Sequence, residues 1–144
     1  MNFKEFHIGE LIKTRVGEMD IDDSRLANFF GMSIDEVHEM YNHSDISVNI
    51  LLKWSKILEY DFFRLYSQHL ILFSPPAKNS AVKDAADLSL MPQFRKRLYS
   101  EELILFILEM IKTGEMTKAQ VIKDYNIPKT TLFKWASKYM DKIS

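Results

Sequence analysis

Residues 117–140 read TKAQVIKDYNIPKTTLFKWASKYM, and the order of cap, turn and apolar positions within them decides how this part of the chain folds. Thr117 and Gln120 form a capping box, in which each side chain satisfies an amide that a helix start leaves open. The pattern predicts a helix over 118–125, with Ala119 as a small-residue contact and Val121, Ile122 and Tyr125 as an apolar stripe. Asn126 tolerates the left-handed backbone that ends a helix, Ile127 supplies a buried anchor, and Pro128 presets the backbone for entry into the next helix. In that next helix Leu132, Trp135, Ala136 and Tyr139 recur at helical spacing. Lys129, Thr130, Lys134 and Lys138 are left for the opposite side. Two short helices joined by so tight a turn make a helix-turn-helix.

The outward side of the second helix carries hydroxyls at its first turn and ammonium groups along its length, the chemistry that meets phosphates and base edges of double-stranded DNA. Lys129, Thr130, Thr131, Lys134 and Lys138 are the candidate DNA contacts. A solvated amphipathic helix whose lysines confer only solubility has the same pattern. Thr130, Thr131, Leu132, Phe133, Lys134 and Trp135 follow the order hydroxyl, hydroxyl, apolar, aromatic, basic, Trp. In this the stretch from about 100 to 142 resembles the helix-turn-helix modules of insertion-sequence transposases and related bacterial regulators. The resemblance implies DNA binding through the second helix. Pro128 stands where those modules usually carry a hydroxyl cap.

Upstream, Ser100 with Glu101 and Glu102 gives a cap and an acidic first turn. Leu103, Ile104, Phe106, Ile107, Met110 and Ile111 then fill an apolar helix closed by Gly114, the supporting helix of a trihelical unit. Arg95, Lys96 and Arg97 precede it and are further DNA-contact candidates, as an arm on the backbone or in a minor groove. A solvated linker end is the plainer reading of such a short basic run.

The first half has a different pattern. Ile8, Leu11, Ile12, Val16 and Met19 make one amphipathic helix. Asp22 can cap a second through Leu26, Ala27, Phe29 and Phe30, closed by Gly31, and Ser33 with Glu36 opens a third through Val37 and Tyr41. The spacing of Leu26, Ala27, Gly31, Met32, Ser33 and Val37 resembles the helix-turn-helix of the phage-repressor (Cro-like, XRE) family over about residues 6 to 73. The resemblance implies a five-helix domain, completed by helices over 49–58 and 61–73. In place of the basic and amide side chains of a recognition helix stand Ile34, Asp35, Glu36, His38 and Glu39, and carboxylates repel phosphate. The fold is therefore carried over without its DNA contacts.

Charge divides the same way. Residues 1–73 hold 7 Lys/Arg and 12 Asp/Glu, net −5, and residues 74–144 hold 12 and 8, net +4. The basic footprint belongs to the second half although the whole chain is near neutral. Phe62, Phe63, Leu65, Tyr66, Leu70, Ile71, Leu72 and Phe73 are apolar on more than one face of their helix, a surplus that suits a homodimer seam through 61–73 or simply the core of its own domain.

An all-α protein is expected: a repressor-like domain over 1–73, a linker over 74–92 around Pro75 and Pro76 with a short helix at 82–88, and a transposase-like unit over 93–144. Zero cysteines exclude disulfides and thiolate chemistry. His7, His38, His43 and His69 have no metal-ligand spacing, and no phosphate loop or nucleophile motif is present, so neither enzyme activity, metal nor cofactor is expected. No stretch reaches the roughly 20 apolar residues of a membrane helix. No signal-peptide apolar region follows Met1, and a cytoplasmic protein is expected. The expected function is that of a sequence-directed DNA-binding regulator or mobile-element accessory. A dimeric protein-interaction adaptor that keeps helix-turn-helix folds as scaffold is the alternative.

Overall fold

Helices account for all the regular structure in a computed structural model of the chain, which describes residues 1–73, 90–92 and 99–143. Eight α-helices occur among them: α1 Ile8–Met19, α2 Asp23–Phe30, α3 Ile34–Glu39, α4 Val48–Ile57, α5 Phe63–Phe73, α6 Glu101–Lys112, α7 Lys118–Asp124 and α8 Lys129–Tyr139. Short 3₁₀ turns follow α3 at Met40–Asn42 and α8 at Met140–Ile143. No described helix is long and apolar enough to cross a membrane. The expected linker over 74–92 lies outside the described residues except for 90–92, and so does its short helix at 82–88. The chain divides into two compact units, one of Glu5–Leu65 and one of Met1–Lys4 with Tyr66–Ser144.

In the Glu5–Leu65 unit the helix boundaries follow local chemistry. The Ser33 hydroxyl accepts from the Glu36 amide and the Glu36 carboxylate accepts from the Ser33 amide at 2.9 Å, a complete capping box. Gly31 closes α2 with φ of 64°, a left-handed geometry that glycine adopts without a Cβ penalty. Asp22 occupies the N-cap position of α2 but makes no side-chain cap bond; its carboxylate accepts the Ser24 hydroxyl instead. The expectation of an Asp22 cap is corrected to that extent: the carboxylate turns to the Ser24 hydroxyl and not to the helix amides.

The core of this unit collects Ile8, Ile12, Leu26, Phe30, Val37, Leu51, Ile57 and Leu58 around Trp54, all buried. Trp54 lies 4.4 Å from Phe30 and 6.0 Å from Tyr41 between ring centroids. Each buried side chain of this size contributes about 1.5–3 kcal/mol before entropy is charged against it. One backbone contact sets how close α1 comes to the 3₁₀ turn after α3. The Gly9 amide donates to the His43 carbonyl at 3.2 Å, and a Cβ on Gly9 would fall 2.7 Å from the carbonyl oxygens of both Met40 and His43.

In the other unit α6 is the central element. Leu103, Ile104, Ile107, Leu108 and Met110 are buried over a wide arc of its surface, and its acidic and lysine positions reach solvent. Ser100 caps it by accepting from the Leu103 amide at 3.2 Å. Met1–Lys4 join this unit through Phe3, which is buried and meets the Phe106 ring at 6.0 Å, edge to face. His69 Nδ1 lies 2.9 Å from the Phe3 carbonyl oxygen. From the same turns of α5, Gln68, only 6% exposed, accepts the Ser100 amide at 2.9 Å. Buried amides of this kind cost stability unless paired, so Gln68 fixes where α6 begins.

The two glycines of α1 give opposite expectations. A Cβ added at Gly17 would meet nothing within 4 Å, so Gly17→Ala should raise the urea midpoint, by about 0.5–1 kcal/mol in stability. Gly9→Ala sets a methyl against backbone oxygens that cannot yield as a side chain would, and should cost about 3 kcal/mol. Equal midpoints for the two variants would contradict the close approach at Gly9.

Candidate nucleic-acid interface

The turn between α7 and α8 determines what α8 presents. Thr117 accepts from the Gln120 amide at 3.2 Å, and Gln120 accepts from the Thr117 amide at 2.7 Å, so the start of α7 is fixed at both donors. After α7 the chain passes through Tyr125, buried, and Asn126, whose φ of 53° is left-handed. Ile127 is completely buried, and Pro128 is the N-cap of α8 with φ of −58°. Leu132 and Trp135 are buried on the inner side of α8, which packs on α6 and on α7. Tyr99 meets the Trp135 ring edge to face at 4.9 Å. Ala119, expected as a small-residue contact, is exposed; Val121 does the packing for α7.

With its inner side so anchored, α8 exposes Lys129, Thr130, Phe133, Lys134, Ser137 and Lys138, while Thr131 is half-buried. Pro128 has no hydroxyl, and no side chain caps the first amides of α8. Those open amides put the positive end of the helix dipole at the same helix start as Lys129 and Thr130. Lys129, Thr130 and Lys134 are each exposed on α8. Lys138 lies farther along, close enough to Glu101 to add to the lowering of that carboxyl group's pKa, which the hydrogen bond from Lys142 dominates. The Lys142–Glu101 ion pair, at 2.5 Å, raises the lysine and lowers the carboxyl, both on the solvent-exposed surface. Arg95, Lys96 and Arg97 lie outside the described residues.

Two further side chains belong to this surface. Phe133 is 46% exposed, and the ammonium groups of Lys118 from α7 and Lys129 from α8 lie over its ring at 5.4 and 5.7 Å from the centroid. Contacts of this kind are worth about 0.5–1 kcal/mol each at exposed sites. Among the described residues Lys118, Lys129 and Lys134 make no ion pair with a carboxylate. The register of Leu132, Trp135 and Tyr139 leaves Phe133 off the packed side, yet in the sequence it stands out only as the aromatic of its motif. What the sequence lacked was the proximity of Lys118, which depends on the angle of the turn.

The corresponding helix of the other unit is chemically different. Asp35, Glu36, His38 and Glu39 of α3 are exposed, and Ile34 is half-buried. Glu36 is engaged in its capping box, His38 Nε2 lies 3.1 Å from Asp23, and His43 lies 3.9 Å from Glu39. No lysine or arginine occurs from Ser33 to His43. Among the described residues no three His, Asp or Glu side chains converge as they would to hold a metal ion. A scan against family models, a search of curated proteins and a search of solved structures each returned no match.

Beneath the α7–α8 turn, burial pushes the Tyr125 hydroxyl above its ordinary value of 10.0, Lys4 opposing the shift and the Glu115 and Asp124 carboxylates adding to it. The hydroxyl donates to Met116 Sδ at 3.0 Å. Since the unfolded chain ionises first, this contribution to stability is complete below pH 10 and is lost as pH rises through the folded value. Tyr125→Phe should therefore soften the fall of the urea midpoint above pH 10, and an unchanged alkaline slope would contradict the burial of this hydroxyl.

Proposed function

We propose that the protein binds double-stranded DNA in a sequence-directed way, with α8 as its recognition helix, and acts as a transcriptional regulator or mobile-element accessory. The observation that carries this reading is the α8 surface. Lysines without ion pairs among the described residues and a threonine hydroxyl are exposed on a helix whose inner side is locked into a core and whose first-turn amides no side chain caps. Phosphates take the ammonium groups and amides, and base edges take the side chains at the first turns. On this reading α6, α7 and α8 form the transposase-like trihelical unit, and α1 to α5 follow the five-helix order of the phage-repressor family. The acidic α3 contributes no phosphate contact. The protein is read as a non-enzymatic, cytoplasmic one.

A second reading has one specific support. Tyr66, Leu70 and Phe73 form an exposed apolar stripe on α5, with Leu70 56% and Phe73 57% exposed. Such a stripe suits a homodimer seam, and a dimer would let two recognition helices reach successive half-sites. If the dimer were the whole function, the protein would be an interaction adaptor.

The test is fluorescence anisotropy of a labelled random-sequence duplex with the full chain, titrated at several salt concentrations beside sedimentation of the free protein. Lys134→Ala should weaken binding to every duplex severalfold and reduce the slope of log affinity against log salt by about 0.9, the loss of one phosphate contact. An unchanged slope would remove Lys134 from the interface. A stable dimer that binds no duplex at low salt would favour the adaptor.

A further inference from the structure

We infer that Phe133 reads the C5-methyl group of thymine in the major groove, which gives the protein a preference for A·T-rich duplexes; the inference rests on the DNA reading of α8. An aromatic ring nearly half exposed on an otherwise polar helix surface has lost part of the burial that ordinarily keeps phenylalanine inside. Here its place is on the side of α8 that carries Thr130 and Lys134, one turn in from the helix start. Lys118 and Lys129 lie over the ring. A base would have to displace those ammonium groups to stack on a covered face, whereas a methyl group needs only the rim. From over the ring those ammonium groups can still meet phosphates, which leaves the rim of the ring for base edges. The thymine methyl is the apolar group that the major groove offers there.

The experiment uses the full chain and needs no knowledge of a preferred site. Anisotropy is measured on a labelled duplex of alternating dA and dT, and on the same duplex with deoxyuridine in place of every thymidine, which removes the methyl and keeps the pairing. The wild type should bind the thymine duplex about fourfold more tightly, the value of burying one methyl group. Phe133→Ala should bind both duplexes equally with its salt slope intact, and Phe133→Leu, which keeps an apolar side chain, should retain part of the difference. Circular dichroism checks that the variants fold. Equal affinity of the wild type for the two duplexes overturns the thymine inference and leaves DNA binding standing. Discrimination that survives Phe133→Ala assigns the methyl to another residue and also overturns it. Tighter binding to single-stranded oligothymidine than to the duplex makes Phe133 a stacking platform instead and overturns the methyl reading. Failure of the wild type to bind any duplex removes the DNA reading itself, and this inference with it.

Discussion

Burial of Ile127, Leu132 and Trp135 is the constraint from which the rest of the α8 surface follows. Ile127 pins the turn, and Leu132 and Trp135 pin one side of α8, which packs on α6. Because a helix repeats every 3.6 residues, fixing those positions leaves no freedom over which side chains face outward. Lys129, Thr130, Phe133 and Lys134 are outside because Leu132 and Trp135 are inside. The broad apolar surface of α6 makes this possible, since it also meets Phe3 through Phe106 and begins where Gln68 holds the Ser100 amide.

Electrostatics then separates two helix pairs, α2 with α3 and α7 with α8. The second helix of each is anchored by an apolar inner side. In α3 the outward positions are carboxylates and histidines, partly engaged with Ser33 and Asp23. In α8 they are lysines without ion pairs among the described residues, at a helix start whose amides no side chain caps. Phosphate attraction is additive over such groups and falls with salt, so the difference is one of kind for a nucleic-acid partner. The Glu101–Lys142 pair marks where that positive surface ends, since it takes one lysine out of play and sits beside another.

Much of this was legible in the sequence wherever the chemistry is local. The capping boxes at Ser33 and Thr117, the cap at Ser100 and the left-handed Asn126 depend on residues three or four apart, and each forms as its spacing predicts. The all-helical character follows from the same patterns. Distant contacts left no such mark. Nothing around Gly9 announces that it must pass carbonyl oxygens more than thirty positions away, and nothing in Met1–Lys4 announces a place beside α6. Tyr66–Phe73 read as the end of an N-terminal domain, yet they group with the C-terminal helices. Phe133 stands out in the sequence only as the aromatic of a motif; its exposure and its pairing with Lys118 depend on the angle between α7 and α8. At Asp22 a local rule gave way to a nearer partner, the Ser24 hydroxyl.

Amide chemical-shift mapping by NMR, on the full chain with increasing amounts of a mixed-sequence duplex, addresses the role of α8 residue by residue. The amides of Lys129, Thr130, Phe133 and Lys134 should shift progressively and saturably, those of α3 should stay in place, and added salt should reverse the change. Shifts concentrated in α3, or none in α8 at low salt, would contradict DNA recognition by this helix.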